Sequence, residues 1–274
     1  MDIRLIAMDL DGTALQPDRC SFSPRLDAAL AEAHARGVAI AIVTGRQFRM
    51  LPPAVQSHPV WENLVVLCNG GQIRSLATGE IFYQKNLSPE ALRMLLSLSR
   101  ELDIPVEFSV DSVLYLTQRS LDQQQGKPQL AFHLHTILAN HGKVVPSLEP
   151  FCEMPVEKCN LPHIPAHLHK KVEERMKTIP VSAVWSSADS MEITHPEAKK
   201  GTALEALSSL LGIPMENTMA LGDSGNDETM LKKAGLGVAM GNAPDFIQAA
   251  ADAVTERSEN DGAAIAIERY VLNS

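Results

Sequence analysis

Apolar residues are arranged along this chain in two ways. In places they run together: Ile3 to Met8 is interrupted only by Arg4, and Val38 to Val43 and Leu64 to Cys68 are unbroken. Such runs read as strands buried on both faces, as in a parallel sheet. They predict strands over residues 3–9, 38–44 and 64–68. Elsewhere the apolar residues recur at helical spacing. Leu26, Ala29, Leu30 and Ala33 share one face of a predicted helix over 24–36. Ser23 supplies its N-cap, Pro24 its first position and Gly37 its stop. Strand, helix, strand in this order predicts a parallel sheet with right-handed crossovers.

The pattern changes near Tyr83. From there to about Ser187 a predicted helix (89–101) mixes with strand-like pieces at 106–110, 113–117 and 156–161, and with a polar stretch from Leu121 to Pro128. His133 and His135 alternate and so share one face of a predicted strand. Helix and strand then alternate again, with a helix over 202–211, a strand over 218–221, a helix over 227–234 and a strand over 236–239. The expected fold is therefore α/β: a Rossmann-like parallel-sheet core over 1–83 and 188–274, with an α+β unit inserted over 84–187.

The 274 residues suffice for one large or two modest domains. A net charge of −9 argues against nucleic acid or an anionic membrane as the main partner. No apolar segment is long enough to span a bilayer, and no signal-peptide pattern opens the chain. Cys20, Cys68, Cys152 and Cys159 follow no pattern and read as reduced thiols. A cytoplasmic location and a monomer are expected.

The chemistry concentrates where predicted strands end. The first run stops on Asp9-Leu10-Asp11-Gly12-Thr13. In an open α/β sheet this is where ligands bind. Two acids on one tight loop repel each other unless a cation holds them, and a hard ion such as Mg²⁺ is the natural one. Thr44-Gly45-Arg46 closes the second strand, where a hydroxyl and backbone N–H groups suit a phosphate oxygen. Alone the tripeptide is also an ordinary turn with a solvated arginine. Lys200 stands at a helix start, already the positive end of the dipole, a placement that an anion would explain. Lys199 reads as a solvated loop residue. Gly222-Asp223-Ser224-Gly225-Asn226-Asp227 is a second acidic loop at a strand end. Asp223 can share a metal with Asp9. Asp227 reads as an N-cap or as a partner for Lys200. In a parallel sheet these four loops converge on one edge.

These motifs together resemble the haloacid dehalogenase (HAD) superfamily of phosphohydrolases, in its Cof-type branch. Asn69-Gly70, Ala239-Met240-Gly241-Asn242-Ala243 and Asp261-Gly262 match as well, in the same order. Ala14 and Gly71 depart from the family pattern, where Leu and Ala are usual. The resemblance implies that Asp9 is a nucleophile forming an aspartyl-phosphate and that Asp11 is the general acid and base. It implies that Mg²⁺ is held by Asp9, the Asp11 carbonyl and Asp223. Thr44, Gly45, Lys200 and Asn226 would hold phosphoryl oxygens, Asp227 would orient Lys200, and Arg46 would contact substrate or phosphate. The inserted segment resembles the branch's large α+β cap, and the substrate class implied is a small phosphorylated metabolite, sugar phosphates among them.

Two other uses of such a core are a receiver-like phosphoacceptor switch and a sugar-phosphate mutase. Asp11 speaks against the first and the large insertion against the second. The spacing of Cys152, Cys159, His163, His167 and His169 fits no zinc template. Lys158 falls in a predicted strand of the insertion and is a further candidate for substrate contact.

Overall fold

The computed structural model describes residues 2–57, 61, 64–131, 133–135 and 142–273. The chain forms two compact units, the first from Met1–Arg46, Leu51–Tyr83 and Lys199–Ser274, the second from Gln47–Met50 and Gln84–Ala198.

The first unit is built on five strands in the order Ala253–Val254, Leu236–Ala239, Thr218–Gly222, Leu5–Met8 and Ala39–Ile42. All neighbours pair in parallel. Leu5–Met8 is an interior strand and wholly buried, as its unbroken apolar run requires. The helix Pro24–Ala35 connects it to Ala39–Ile42. The Ser23 side chain accepts the Leu26 N–H at 3.1 Å and caps the helix start. Leu26, Ala29, Leu30 and Ala33 face inward. Leu204, Leu207, Met230 and Ile247 complete the core on the returning part of the chain.

Leu64–Leu67 departs from the expected parallel extension. It meets the neighbouring strand through one parallel bridge, Val43 to Val66, and otherwise pairs antiparallel with Gln72–Ser75. Asn69 and Gly70, both at positive φ, turn the chain back on itself, so no helical crossover follows.

The second unit carries a six-stranded sheet in the order Ser182–Trp185, Met191–Thr194, Val156–Leu161, Glu107–Val110, Val113–Thr117 and Lys143–Val145. One face presents Phe108, Cys159, Leu161 and Ile193 to a core shared with the helices Pro89–Leu102 and His169–Met176. Residues two apart share a face, so Glu107, Ser109, Lys158 and Asn160 line the other. The register sets Glu107 beside Asn160 and Ser109 beside Lys158.

Two sequence expectations need correction here. Met191–Thr194 pairs with strands on both sides in this sheet, so the second unit runs to Ala198 rather than ending near 187. His133 and His135 lie in helical turns that follow Pro128–Leu130, not on a strand. Among the described residues, no helix is long and apolar enough to cross a membrane.

Candidate active site

Leu5–Met8 is flanked by Ala39–Ile42 on one side and Thr218–Gly222 on the other. The connections therefore leave it in opposite directions, and its carboxyl end is the switch point where open α/β sheets leave a crevice. Asp9 sits there, 5% exposed, with its N–H donating to the Leu221 carbonyl at 3.0 Å. The next residues, Leu10–Ala14, form one wide turn closed by the Leu15 N–H on the Leu10 carbonyl. Gly12 holds φ +81 in that turn, and a Cβ there would strike the Asp223 carboxylate. The glycine thus lets two acidic loops approach. Thr13 completes the junction by donating its hydroxyl to Asp223 Oδ1 at 3.0 Å.

Lys200 opens the helix Lys200–Leu211 with its side chain fully buried. Its Nζ lies 2.6 Å from Asp9 Oδ1 and 2.6 Å from Asp227 Oδ1. Burial disfavours the ammonium, but the Asp227 and Asp9 carboxylates outweigh it and hold the lysine firmly protonated. Asp227 Oδ2 accepts the N–H groups of Asp223 (3.0 Å) and Ser224 (2.9 Å). Asp227 thus orients both Lys200 and the Asp223 loop. It precedes the helix Glu228–Lys233, but its side chain does not cap it.

The carboxylates are crowded. Asp9, Asp223 and Asp227 each offer an oxygen within 4.8 Å of the others. Burial raises the Asp9 carboxyl well above its ordinary value; Lys200 pulls it down, while Asp227 and Asp223 push it further up. Burial, then the Asp227 charge, pushes Asp223 up to about 6. Lys200 cannot neutralise all three acids, and a divalent cation fits this excess of negative charge. Both Asp227 oxygens are taken by Lys200 and by the backbone of the Asp223 loop. The Asp11 side chain turns to Arg46 instead: Nε donates to Oδ2 at 2.8 Å and Nη2 to Oδ1 at 2.7 Å.

Thr44 is buried, and its Oγ1 accepts the Arg46 N–H at 3.1 Å. Gly45 lies between them at the strand end. Asn226 donates from Nδ2 to Asn69 Oδ1 at 2.8 Å and accepts the Ser224 hydroxyl at 2.6 Å, which ties the Asp223 loop to the turn after Leu64–Leu67. Asn242 joins two further loops: Nδ2 donates to the Gly12 carbonyl (2.9 Å) and to Asp223 Oδ2 (3.3 Å), and Oδ1 accepts the Ser258 N–H (2.9 Å). Sequence reasoning matched Asn69 and Asn242 to motifs and gave them no task; it gave Thr13 none either. Their place after predicted strand ends was the available signal.

A family model of haloacid dehalogenase-like hydrolases matches residues 6–267. The protein YxeH of Bacillus subtilis (strain 168) is 32% identical over 275 residues, covering 98% of both chains. The pyridoxal phosphate phosphatase YbhA of Escherichia coli (strain K12) is 28% identical over 278 residues, covering 99% of this chain and all of that one. Among solved structures, the HAD subclass IIB sugar phosphatase BT4131 superposes with a TM-score of 0.82 at 23% identity, covering 97% and 98% of the two chains. The chain belongs to the haloacid dehalogenase-like hydrolase family, in its Cof-type branch, with the α/β core and inserted α+β unit expected from its sequence.

Proposed function

We propose that this protein is a Mg²⁺-dependent phosphatase of small phosphorylated metabolites, sugar phosphates among them, acting through a phosphoaspartate. The supporting observation is the gathering of Asp9, Asp223, Asp227 and Lys200 from three separate loops at one sheet edge. Buried charges held this close are costly and cluster at functional sites.

In this reading Asp9 attacks phosphorus in line, and the bond from phosphorus to the departing oxygen breaks. Asp11 gives that oxygen a proton, then takes one from the water that cleaves the phosphoaspartate. The Thr44 hydroxyl, the Gly45 backbone, Asn226 and Lys200 hold the phosphoryl oxygens. Asp9, Asp223 and the Asp11 main-chain carbonyl would hold Mg²⁺, which screens the charge between carboxylate and phosphate. Asp227 keeps Lys200 in place.

The test is phosphate release from a panel of hexose, pentose and pyridoxal phosphates, with Mg²⁺ and with chelator. Release that needs Mg²⁺ and is strongest on a sugar phosphate supports the proposal. Release from none overturns it, and release that persists in chelator overturns its metal requirement.

A further inference from the structure

Arg46 was expected to meet substrate or phosphate, but its geometry indicates another task. Two of its donors, Nε and Nη2, grip the two oxygens of Asp11 as a planar fork. Nη2 also reaches the Arg19 carbonyl at 3.2 Å. The residue is fixed at its backbone too. Its N–H donates to Thr44 Oγ1, and its carbonyl accepts the Cys68 N–H at 3.0 Å. Exposure runs opposite to that of a substrate ligand: the Arg46 side chain is 16% exposed, while the Asp11 side chain is 41% exposed. The arginine is thus part of the framework, and the carboxyl faces outward.

We propose that Arg46 is the positioning residue of Asp11: the guanidinium sets the rotation of that carboxyl and turns its remaining lone pairs toward the reacting oxygen. This rests on the reading of Asp11 as acid and base. A carboxylate on a surface loop otherwise turns freely about two side-chain bonds. A bidentate guanidinium removes that freedom, and a lysine, which donates from a single point, does not. Proton transfer depends steeply on such alignment. The step it serves is balanced: the P–O bond to the alcohol breaks, and the alcohol oxygen takes the Asp11 proton. A water then attacks phosphorus, its proton returns to Asp11, and the bond from phosphorus to Asp9 breaks.

The test uses leaving groups that differ in their need for a proton. An alkyl phosphate departs as a strongly basic alkoxide unless protonated; 2,4-dinitrophenyl phosphate departs as a stable phenolate. The quantity measured is kcat/KM, which covers the steps up to the first departure. Arg46→Ala should lower it by about 100-fold for the alkyl phosphate and by less than about threefold for the dinitrophenyl ester. Arg46→Lys, which keeps charge and length, should fall between the wild type and Arg46→Ala on the alkyl phosphate and match the wild type on the ester. In an Asp11→Asn background, Arg46→Ala should add almost nothing. Equal losses on both esters would overturn the proposal and make Arg46 a phosphate ligand. No loss on either, or full activity in Arg46→Lys, would overturn it as well. If Asp11→Asn alone fails to distinguish the two esters, the acid–base reading of Asp11 falls instead.

Discussion

Two buried carboxyl groups, Asp9 in the first unit and Glu107 in the second, are met in contrasting ways. In the first, Lys200 sits between Asp9 and Asp227, and a lysine held firmly protonated meets two carboxyl groups. In the second, Glu107 is equally buried but faces the titratable His133 (3.0 Å) and the neutral amides of Gln124 (2.8 Å) and Asn160 (3.3 Å). The first arrangement holds its groups in one geometry around a fixed cation, the property that stabilising a developing charge requires. The second changes its charge with its surroundings. A buried carboxylate is informative mainly through its partner: a fixed counter-ion marks preorganisation, a titratable one marks adjustability.

The largest expected effect tests the fixed side. Asp9→Asn should reduce phosphatase turnover by about four orders of magnitude or more while circular dichroism stays unchanged; a modest loss would remove Asp9 as nucleophile. Lys200→Met leaves two buried carboxylates without their cation. It should cost about 3–5 kcal/mol in urea unfolding at neutral pH, the range for breaking a buried pair from one side. A cost near zero would mean that the charges are solvated in the native protein and would erase the contrast.

Metal binding should follow pH with a definite sign. Asp223, pushed up to about 6, must ionise to hold a cation. Mg²⁺ affinity measured by titration calorimetry should therefore fall by about tenfold per pH unit below about 6. Without metal the sign of stability is the reverse. The native state binds protons that the unfolded chain has already lost, so stability falls as pH rises from the unfolded carboxylate value toward 6.

The smallest effect belongs to the second unit. Burial lowers the His133 value, but the charge and hydrogen bonds of Glu107 outweigh it and leave the imidazole raised. Its contribution is complete below the unfolded histidine value and is lost as pH climbs through the raised one. Glu107→Gln should flatten that slope by under about 1 kcal/mol, seen as closer urea midpoints at pH 6 and pH 8. An unaltered slope would mean that the pair is not charged.

The core was legible because its strands are unbroken apolar runs and each stops on residues with distinctive chemistry. Asp9, Thr44 and Asp223 follow from the rule that parallel strands end together, and Lys200 from its place at a helix start. What these side chains then bond to was not legible. The Arg46–Asp11 fork joins residues 35 positions apart, and nothing local at either residue indicates the other. Met191–Thr194 was missed because four residues are too few to show a period, and the strand follows a polar turn that resembles a boundary. The segment around His133 alternates polar and apolar residues as a strand would, yet its turns are helical. There the buried Glu107 attracts the imidazole, and a tertiary contact prevails over a weak local pattern.

The strand that ends at Asp9 has a further consequence, for the ribosome. Leu5–Met8 gains one neighbour early, from Ala39–Ile42, but the other, Thr218–Gly222, is made only after the whole second unit. Throughout that interval the emerging polypeptide carries an apolar ribbon with one bare edge, a template for association with other nascent chains. Synthesis that stalls within the insertion leaves this ribbon half-paired, and chaperone demand should peak there.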